Sequence, residues 1–278
     1  MKMQEHLRAP KGVVRVEDFD PAATPGFKGD KSDAKTDQAE LAVDLALLQE
    51  KLYANGTSNG ADQALLLVLQ GMDTSGKGGV IKHVIGQVDP QGVRITSFKK
   101  PTEEERSHDF LWRIQRGVPT KGQMGIFDRS HYEDVLIQRV ESMASPDEIE
   151  RRYGAINEFE QNLAESGVRI IKCFLNVSKE KQGERLLERL DDPHKHWKYN
   201  PGDLQVRQKW DAYMDAYGLA LSRCNEDAAP WYVIPADIKW YRNWAITALL
   251  TEVMEEMDLH WPAADFDVEL EKSRVLAS

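Results

Sequence analysis

The densest concentration of chemistry in this sequence lies between Gly71 and Gly79, where GMDTSGKGG follows the aliphatic run LLLVLQ. Glycines in such a stretch let the backbone turn tightly and approach a ligand without Cβ clashes. Successive N–H groups in the turn, with a helix start behind them, form a nest for an anion. Lys77 adds a full positive charge. The spacing from Gly71 to Gly76-Lys77 fits G-x-x-x-x-G-K, the phosphate-binding (Walker A) loop. Met72, Thr74, Ser75, Gly78 and Gly79 are therefore phosphate- or nucleotide-binding candidates along with Gly71 and Gly76. Two positions depart from the pattern. Gly78 stands where a serine or threonine normally helps hold magnesium, and Asp73 places a carboxylate inside an anion cradle. That carboxylate makes sense if it faces a metal ion shared with the phosphates. The bland alternative is a glycine-rich strand-to-helix turn with an incidental lysine. The strand before the loop and the helix after it weigh against that.

A second constellation follows the short strand Gln123–Phe127, which ends in Asp128-Arg129-Ser130-His131-Tyr132. An acidic residue at the end of an apolar strand, downstream of a phosphate loop, supplies the other half of a nucleoside-triphosphate site. Arg129 could grip a transferring phosphoryl group, because a planar guanidinium matches phosphate oxygens. For Glu133, a role in holding substrate and a simple preference for a helix start are equally open. Lys99-Lys100 follows the strand-like VRITSF, at the carboxyl end where ligands of open parallel sheets sit; a solvated lysine pair is the alternative. Lys82, Lys99, Lys100, Arg113, Arg116 and Lys121 lie in segments that could line a positive track.

The stretch RLDDPHKHWKYNPGD, Arg189 to Asp203, interrupts two helices and is dense in charge and turn formers. Its Lys195 and Lys198, with Arg185 and Arg189 on the helix before it, could close over a polyanion and exclude water. A solvated surface loop is the competing reading. His194 and His196 lack helical metal-ligand spacing, so no zinc site is expected.

The elements that must position these groups alternate strand and helix, which predicts an α/β fold with a mostly parallel sheet covered on both faces. Strands are expected at Leu65–Gln70, buried on both faces, at the alternating Val93–Phe98, and at Gln123–Phe127, Val168–Val177 and Trp231–Pro235. Helices are expected from about Asp37, over Val80–Val88, from Thr102 through Arg116, from Ser145 to Gly167, after Ser178, over Leu204–Glu226 and over Trp240–Met257. Residues 1–36 read as an extended arm, 37–264 as the functional domain with a lid at about 179–215, and 265–278 as a tail. Residues Gly56–Asp62 read as a loop. A chain of 278 residues, 41% hydrophobic, can bury a large core. A formal net charge of −10 argues against nucleic acid as a partner, so a polyanion would need a locally positive groove. Cys173 and Cys224 match no metal or redox spacing and read as buried thiols. The tryptophans at 197, 231, 240, 244 and 261 read as packing residues. No apolar stretch resembles a signal or a membrane span, which predicts a cytoplasmic protein without a membrane partner.

With these residues in hand, the sequence resembles the polyphosphate kinase 2 family. The resemblance rests on GMDTSGKGG, on FDRSHYEDVL at Phe127–Leu136, on RLDDPHKHWKY at Arg189–Tyr199 and on KWDAY with Trp210 and Tyr213. It implies a thymidylate-kinase-like P-loop kinase fold, three layers α/β/α, with a helical lid. It also implies reversible transfer of the terminal phosphoryl group of inorganic polyphosphate to AMP, ADP or both, with GMP and GDP as further acceptors. Carried over residue by residue, Lys77 would bind phosphate, Asp73 and Asp128 would position magnesium (or manganese in its place), and Arg129 would contact phosphoryl oxygens. Arg185, Arg189, Lys195 and Lys198 would be lid-side phosphate contacts. A homodimer or homotetramer follows from the same resemblance. An ATP-dependent nucleoside monophosphate kinase is the alternative activity, and a nucleotide-binding regulatory module without turnover is a third reading.

Overall fold

The protein is described from a computed structural model covering residues 2–58 and 62–278. The chain begins with a short helix, α1 (Met3–Leu7), and a stretch that buries Ala9, Val14 and Val16. Helix α2 (Lys31–Thr57) starts earlier than the expected Asp37 because the Asp30 side chain accepts hydrogen bonds from Ser32 and Asp33 N–H, and the Asp33 carboxylate accepts one from Asp30 N–H. That reciprocal cap satisfies N–H groups that the first turn would otherwise leave open. The loop expected at Gly56–Asp62 lies partly outside the described residues, at positions 59–61.

Strand β1 (Ala64–Gln70) is buried along its whole length and leads through the glycine loop into α3 (Lys77–His83). Only a 3-10 turn at Ile85–Gln87 continues the helix expected to reach Val88. Strand β2 (Val93–Ser97) precedes α4 (Glu103–Arg106) and α5 (Trp112–Gln115), so the single helix expected from Thr102 is broken in two. The expected cap at its start is present, with Thr102 and Glu105 exchanging hydrogen bonds. Strand β3 (Met124–Asp128) is followed by a 3-10 turn over His131–Asp134, then α6 (Ile137–Val140) and α7 (Pro146–Glu165).

Strand β4 (Val168–Asn176) leads into α8 (Lys179–Asp191), a 3-10 stretch at Pro193–Lys198, α9 (Gly202–Gln208) and α10 (Trp210–Arg223). A break at Lys209 divides what the sequence suggests is one helix from Leu204. Strand β5 (Trp231–Pro235), α11 (Lys239–Glu255) and an exposed α12 (Val268–Leu276) complete the chain.

All strand pairs are parallel, in the order β2-β3-β1-β4-β5. The burial of β1 along its whole length, and of β4 from Ile170 onward, requires cover on both faces, as parallel sheets have. The N-terminal segment meets the β5 edge through an antiparallel bridge between Arg8 and Tyr232 and through Ala9 N–H to Trp231 O at 2.8 Å. That contact blocks an otherwise open row of backbone groups. Cys173 and Cys224 are buried thiols, as expected. Trp231 and Trp244 pack inside, but Trp197 is 79% exposed and Trp261 is also at the surface. Among the described residues no helix is long and apolar enough to cross a membrane.

Candidate active site

Strands β1 and β3 are parallel neighbours, with Leu69 opposite Asp128 and Arg129 N–H bonded to Leu69 O at 3.1 Å. The loop after β1 and the acidic-basic pair after β3 therefore emerge together at the carboxyl edge of the sheet, where such folds bind ligands. They open onto a cavity of about 950 Å³ whose lining includes Asp73, Lys77, Asp128 and Arg129. Thr74, Gly76, Gly78, Gly79 and Lys82 line it from the loop and α3, and Lys99 from the end of β2. Arg185, Arg189, Lys195 and Lys198 line it from α8 and the segment beyond. The remaining predicted loop residues, Gly71, Met72 and Ser75, are buried and do not line it.

The loop has a consistent polarity. Each carbonyl from Gly71 to Ser75 accepts a side-chain donor: Gly71 and Met72 from Lys77 Nζ (2.6 and 3.3 Å), Asp73 from Gln182 Nε2 (3.2 Å), Thr74 and Ser75 from Arg185 Nη1 (2.9 and 3.3 Å). Among the described residues, the N–H groups of Asp73, Thr74, Gly76, Lys77 and Gly78 have no acceptor. Acceptors are tied away and donors left free, which is the arrangement an anion needs. Gly76 adopts a φ of 114°, and Thr74 holds a φ of 65° that a β-branched residue rarely takes. Arg129 opposite shares that φ of 65°. Backbone strain of this kind, about 1–3 kcal/mol per residue, persists where the surroundings over-determine it and clusters at functional sites. A Cβ added at Gly78 would meet nothing within 4 Å, so a hydroxyl side chain is missing there without being sterically excluded.

Around the loop the charged groups are paired with one another. Arg129 Nη2 donates to Asp73 Oδ1 at 2.8 Å. Burial opposes the Arg129 charge, but Glu133 and Asp73 hold its pKa above the usual value. Burial lowers the pKa of Lys77, against the pull of Asp73. Glu133 sits in the first turn of the 3-10 helix that Ser130 caps, with its carboxyl pushed up by burial and drawn down by Arg129 and Lys77. Gln70, oriented to satisfy both neighbours, donates to Glu133 Oε1 (3.1 Å) and accepts from Ser130 Oγ (3.0 Å). Besides its place at that helix start, Glu133 interacts with Gln70, Arg129 and Lys77 beneath the loop.

Asp73 and Asp128 suit a hard divalent cation. Among the described residues, Asp73 Oδ2 and Asp128 Oδ1 have no protein partner, and Ser97 Oγ lies 3.4 Å from Asp128 Oδ2. Oxygen donors of this kind fit magnesium, which binds through a few carboxylates and completes its shell with phosphate oxygens and water. No larger group of metal-ligating side chains occurs among the described residues.

Helix α8 connects the loop to the lid-like segment. Gln182 and Arg185 face the loop, and Arg189 Nη1 reaches Lys198 O at 2.9 Å and Asp203 Oδ2 at 3.5 Å. Arg185 directs its terminal nitrogens to backbone carbonyls, including Ala236 and Asp237, so in this state it braces the loop. Lys195 pairs with Asp192 at 3.1 Å, and Lys198 lies over the Trp197 ring at 5.0 Å. Arg113 is set apart from the other predicted contacts. It is buried against Phe98 and donates to Lys99 O at 2.8 Å, facing an adjoining cavity that Lys99, Lys100 and Arg116 also line. Lys121 leaves the suggested track altogether: it precedes β3, at the amino end of the strands, and pairs with Asp62 at 2.6 Å.

Sequence reasoning missed Gln70, Ser130, Gln182 and Arg242 as loop supports and Trp197 and Lys239 as cavity lining. The basic segment around Trp197 was a usable signal for that residue. Arg242 offered none, because the loop carbonyl it reaches lies 167 residues away in sequence.

Residues 28–261 match the family model described as Polyphosphate kinase 2 (PPK2). The chain is 45% identical over 260 residues to an AMP/ADP-polyphosphate phosphotransferase of Meiothermus ruber, covering 94% of this chain and 96% of that one. It is 42% identical over 230 residues to an ADP-polyphosphate phosphotransferase of Rhodopseudomonas palustris, covering 78% of each. The crystal structure of Polyphosphate Kinase 2 from Arthrobacter aurescens TC1 superposes with a TM-score of 0.97 and 51% identity, over 100% of this chain and 98% of that one.

Proposed function

Because the chain belongs to the polyphosphate kinase 2 family and is a polyphosphate:nucleotide phosphotransferase, we propose that it moves the terminal phosphoryl group of polyphosphate to AMP, ADP or both. The observation that carries this reading is the loop's polarity: carbonyls from Gly71 to Ser75 tied outward, N–H groups unpartnered, and Lys77 at the cavity wall. Similarity to a relative named for both AMP and ADP supports the choice of acceptors.

In this proposal the donor chain lies in the loop nest, aligned by N–H groups and by Lys77 once it leaves the Gly71 and Met72 carbonyls. Asp73 and Asp128 hold a divalent cation, magnesium or manganese, which neutralises charge on the bridging phosphates when bound. Arg129 exchanges Asp73 for the phosphoryl oxygens that gain charge during transfer. Lys195, Lys198 and Arg189 close from the lid, at about 179–215 of a domain spanning 37–264, and exclude water. Alignment and electrostatics suffice, because phosphoryl transfer needs little covalent work from the protein. The open space at Gly78 supports a metal site built from Asp73 in place of the usual loop hydroxyl. Assembly as a dimer or tetramer would use surface such as Val43 and Leu47 on α2, which are exposed.

Purified protein, inorganic polyphosphate and magnesium, with no ATP supplied, should convert AMP to ADP or ADP to ATP. Parallel reactions with GMP and GDP, resolved by chromatography, define the base preference. Absence of any product from all four acceptors would defeat the proposal. Turnover with ATP as donor and indifference to polyphosphate would replace it with the monophosphate-kinase alternative.

A further inference from the structure

We infer that Arg242, on α11, is a positioning residue for phosphoryl transfer that acts from the outer side of the phosphate loop, sharing a loop carbonyl with Arg185, which itself lines the cavity. The inference rests on the proposed reaction and adds a second layer to its site. Arg242 Nη1 donates to Ser75 O at 3.2 Å, and Arg185 Nη1 donates to the same oxygen at 3.3 Å. The two guanidinium groups thus meet on one carbonyl, at the junction of loop and α3. Arg242 occupies the space a Cβ at Gly76 would need, and its Nη2 lies 2.7 Å from an ideal Cβ at Gly79. Glycine at these positions therefore serves two faces: open approach for phosphate inside, and room for an arginine outside.

The electrostatics are unusual for so buried a pair. Arg185 is 5% exposed and Arg242 3%. Among the described residues neither forms an ion pair with a carboxylate. Arg242 turns Nε and Nη2 to the neutral side chain of Asn243, and the Asp237 carboxylate accepts from Ser178 instead. Burial, with the charge of Arg185, pushes the Arg242 pKa down to about 10, and burial lowers that of Arg185 as well, against the pull of Asp237, Glu188 and Glu184 at longer range. Buried charge without a partner is costly, so proteins retain it where a partner arrives. The partner here is the polyphosphate chain on the other side of one layer of backbone. Two cations against the loop raise the positive potential inside it, and their grip on Ser75 O holds the neighbouring N–H groups toward the phosphates.

The test compares wild type, Arg242→Met and Arg242→Lys, using inorganic polyphosphate with magnesium as the probe. Two quantities are read: the rise in melting temperature that polyphosphate causes, and kcat and KM with AMP or ADP. Wild type must first turn over polyphosphate; failure there sinks the function and not the inference. Arg242→Met should show a smaller polyphosphate-induced rise and a kcat reduced by about a hundredfold, the effect of small misplacement of reacting groups. Arg242→Lys should recover the thermal response, because the charge returns, but not kcat, because a lysine cannot reproduce the fork on Ser75 O. If Arg242→Met melts lower without ligand yet keeps the full polyphosphate response and kcat, the arginine is packing alone and the inference is overturned. Should Arg242→Met fail to fold, Arg242→Lys decides: wild-type kcat in that variant overturns it equally.

Discussion

Two buried cationic clusters, one within the sheet on β4 and one against the loop, handle charge in opposite ways. Lys172, fully buried on β4, donates to Glu160 Oε2 at 2.6 Å, to the Tyr132 hydroxyl at 2.7 Å and to Cys224 O at 2.6 Å. Glu160 Oε1 in turn accepts from Tyr132 at 2.9 Å and contacts His131 Nε2 at 3.1 Å. The aromatic faces of Tyr132 and Trp231 lie 5.2 and 5.1 Å from the ammonium. Charge is matched there inside the protein. Arg185 and Arg242 are just as buried but spend their donors on neutral carbonyls and an amide. A matched cluster fixes structure, here tying β4 and α7 to the segment after β3. An unmatched one stores positive potential for a ligand.

The sharpest way to break this comparison is to spoil the matched cluster. Glu160→Gln leaves Lys172 buried without its counterion and should cost about 3–5 kcal/mol of stability. Denaturant titration measures that loss, while turnover per folded molecule should remain close to wild type. A fall in specific turnover as large as the loop variants show would mean the cluster is part of the reaction and the contrast is false.

Lys77→Ala should do the reverse. Loss of a preorganised charge at the transferring phosphate typically removes about 10²–10³ in kcat, whereas the melting temperature should move little, because among the described residues the hydrogen bonds of Lys77 go to loop carbonyls. Steady-state kinetics and a thermal melt on one preparation check both halves. Unfolding of this variant would make Lys77 structural and displace the site.

Asp134 is the intermediate case. It lies 3.6 Å from Arg152, yet burial pushes its carboxyl up to about 6 from an ordinary 3.8. Since the folded value exceeds the unfolded one, the stability it contributes is complete below about pH 3.8 and lost as pH rises through about 6. Between those limits wild type should lose up to about 3 kcal/mol relative to Asp134→Asn. Denaturation at a series of pH values reads the difference, and parallel curves for the two proteins would show that Arg152 matches Asp134 fully.

The sequence made the reacting groups legible for a physical reason. Glycine spacing, an aliphatic run and a lysine are local, and local backbone geometry is what they encode. The same holds for the caps at Thr102, Ser145 and Ser178, which accept the N–H groups of the turns behind them, whereas the cap at Asp30 was not read and the helix behind it was expected six residues late. Helix lengths were less legible. The expected helices from Thr102 and Leu204 are each split, at positions where tertiary packing overrides a propensity that alone would continue. Arg113 shows the limit for side chains. Its segment was read correctly as basic, but whether the guanidinium faces the phosphate loop or stacks on Phe98 depends on the turn between α4 and α5.

By itself, the sequence determined the order of strands and helices, the phosphate nest, the Asp128-Arg129 pair and the family. Only the folded chain decided which donors hold each loop carbonyl, that Asp73 and Arg129 pair with one another, and that Arg242 stands behind Gly76 and Gly79. Local motifs fix the conformation of neighbours in sequence. The balance of buried charge is a sum over groups that only tertiary packing brings together, and no spacing along the chain records it.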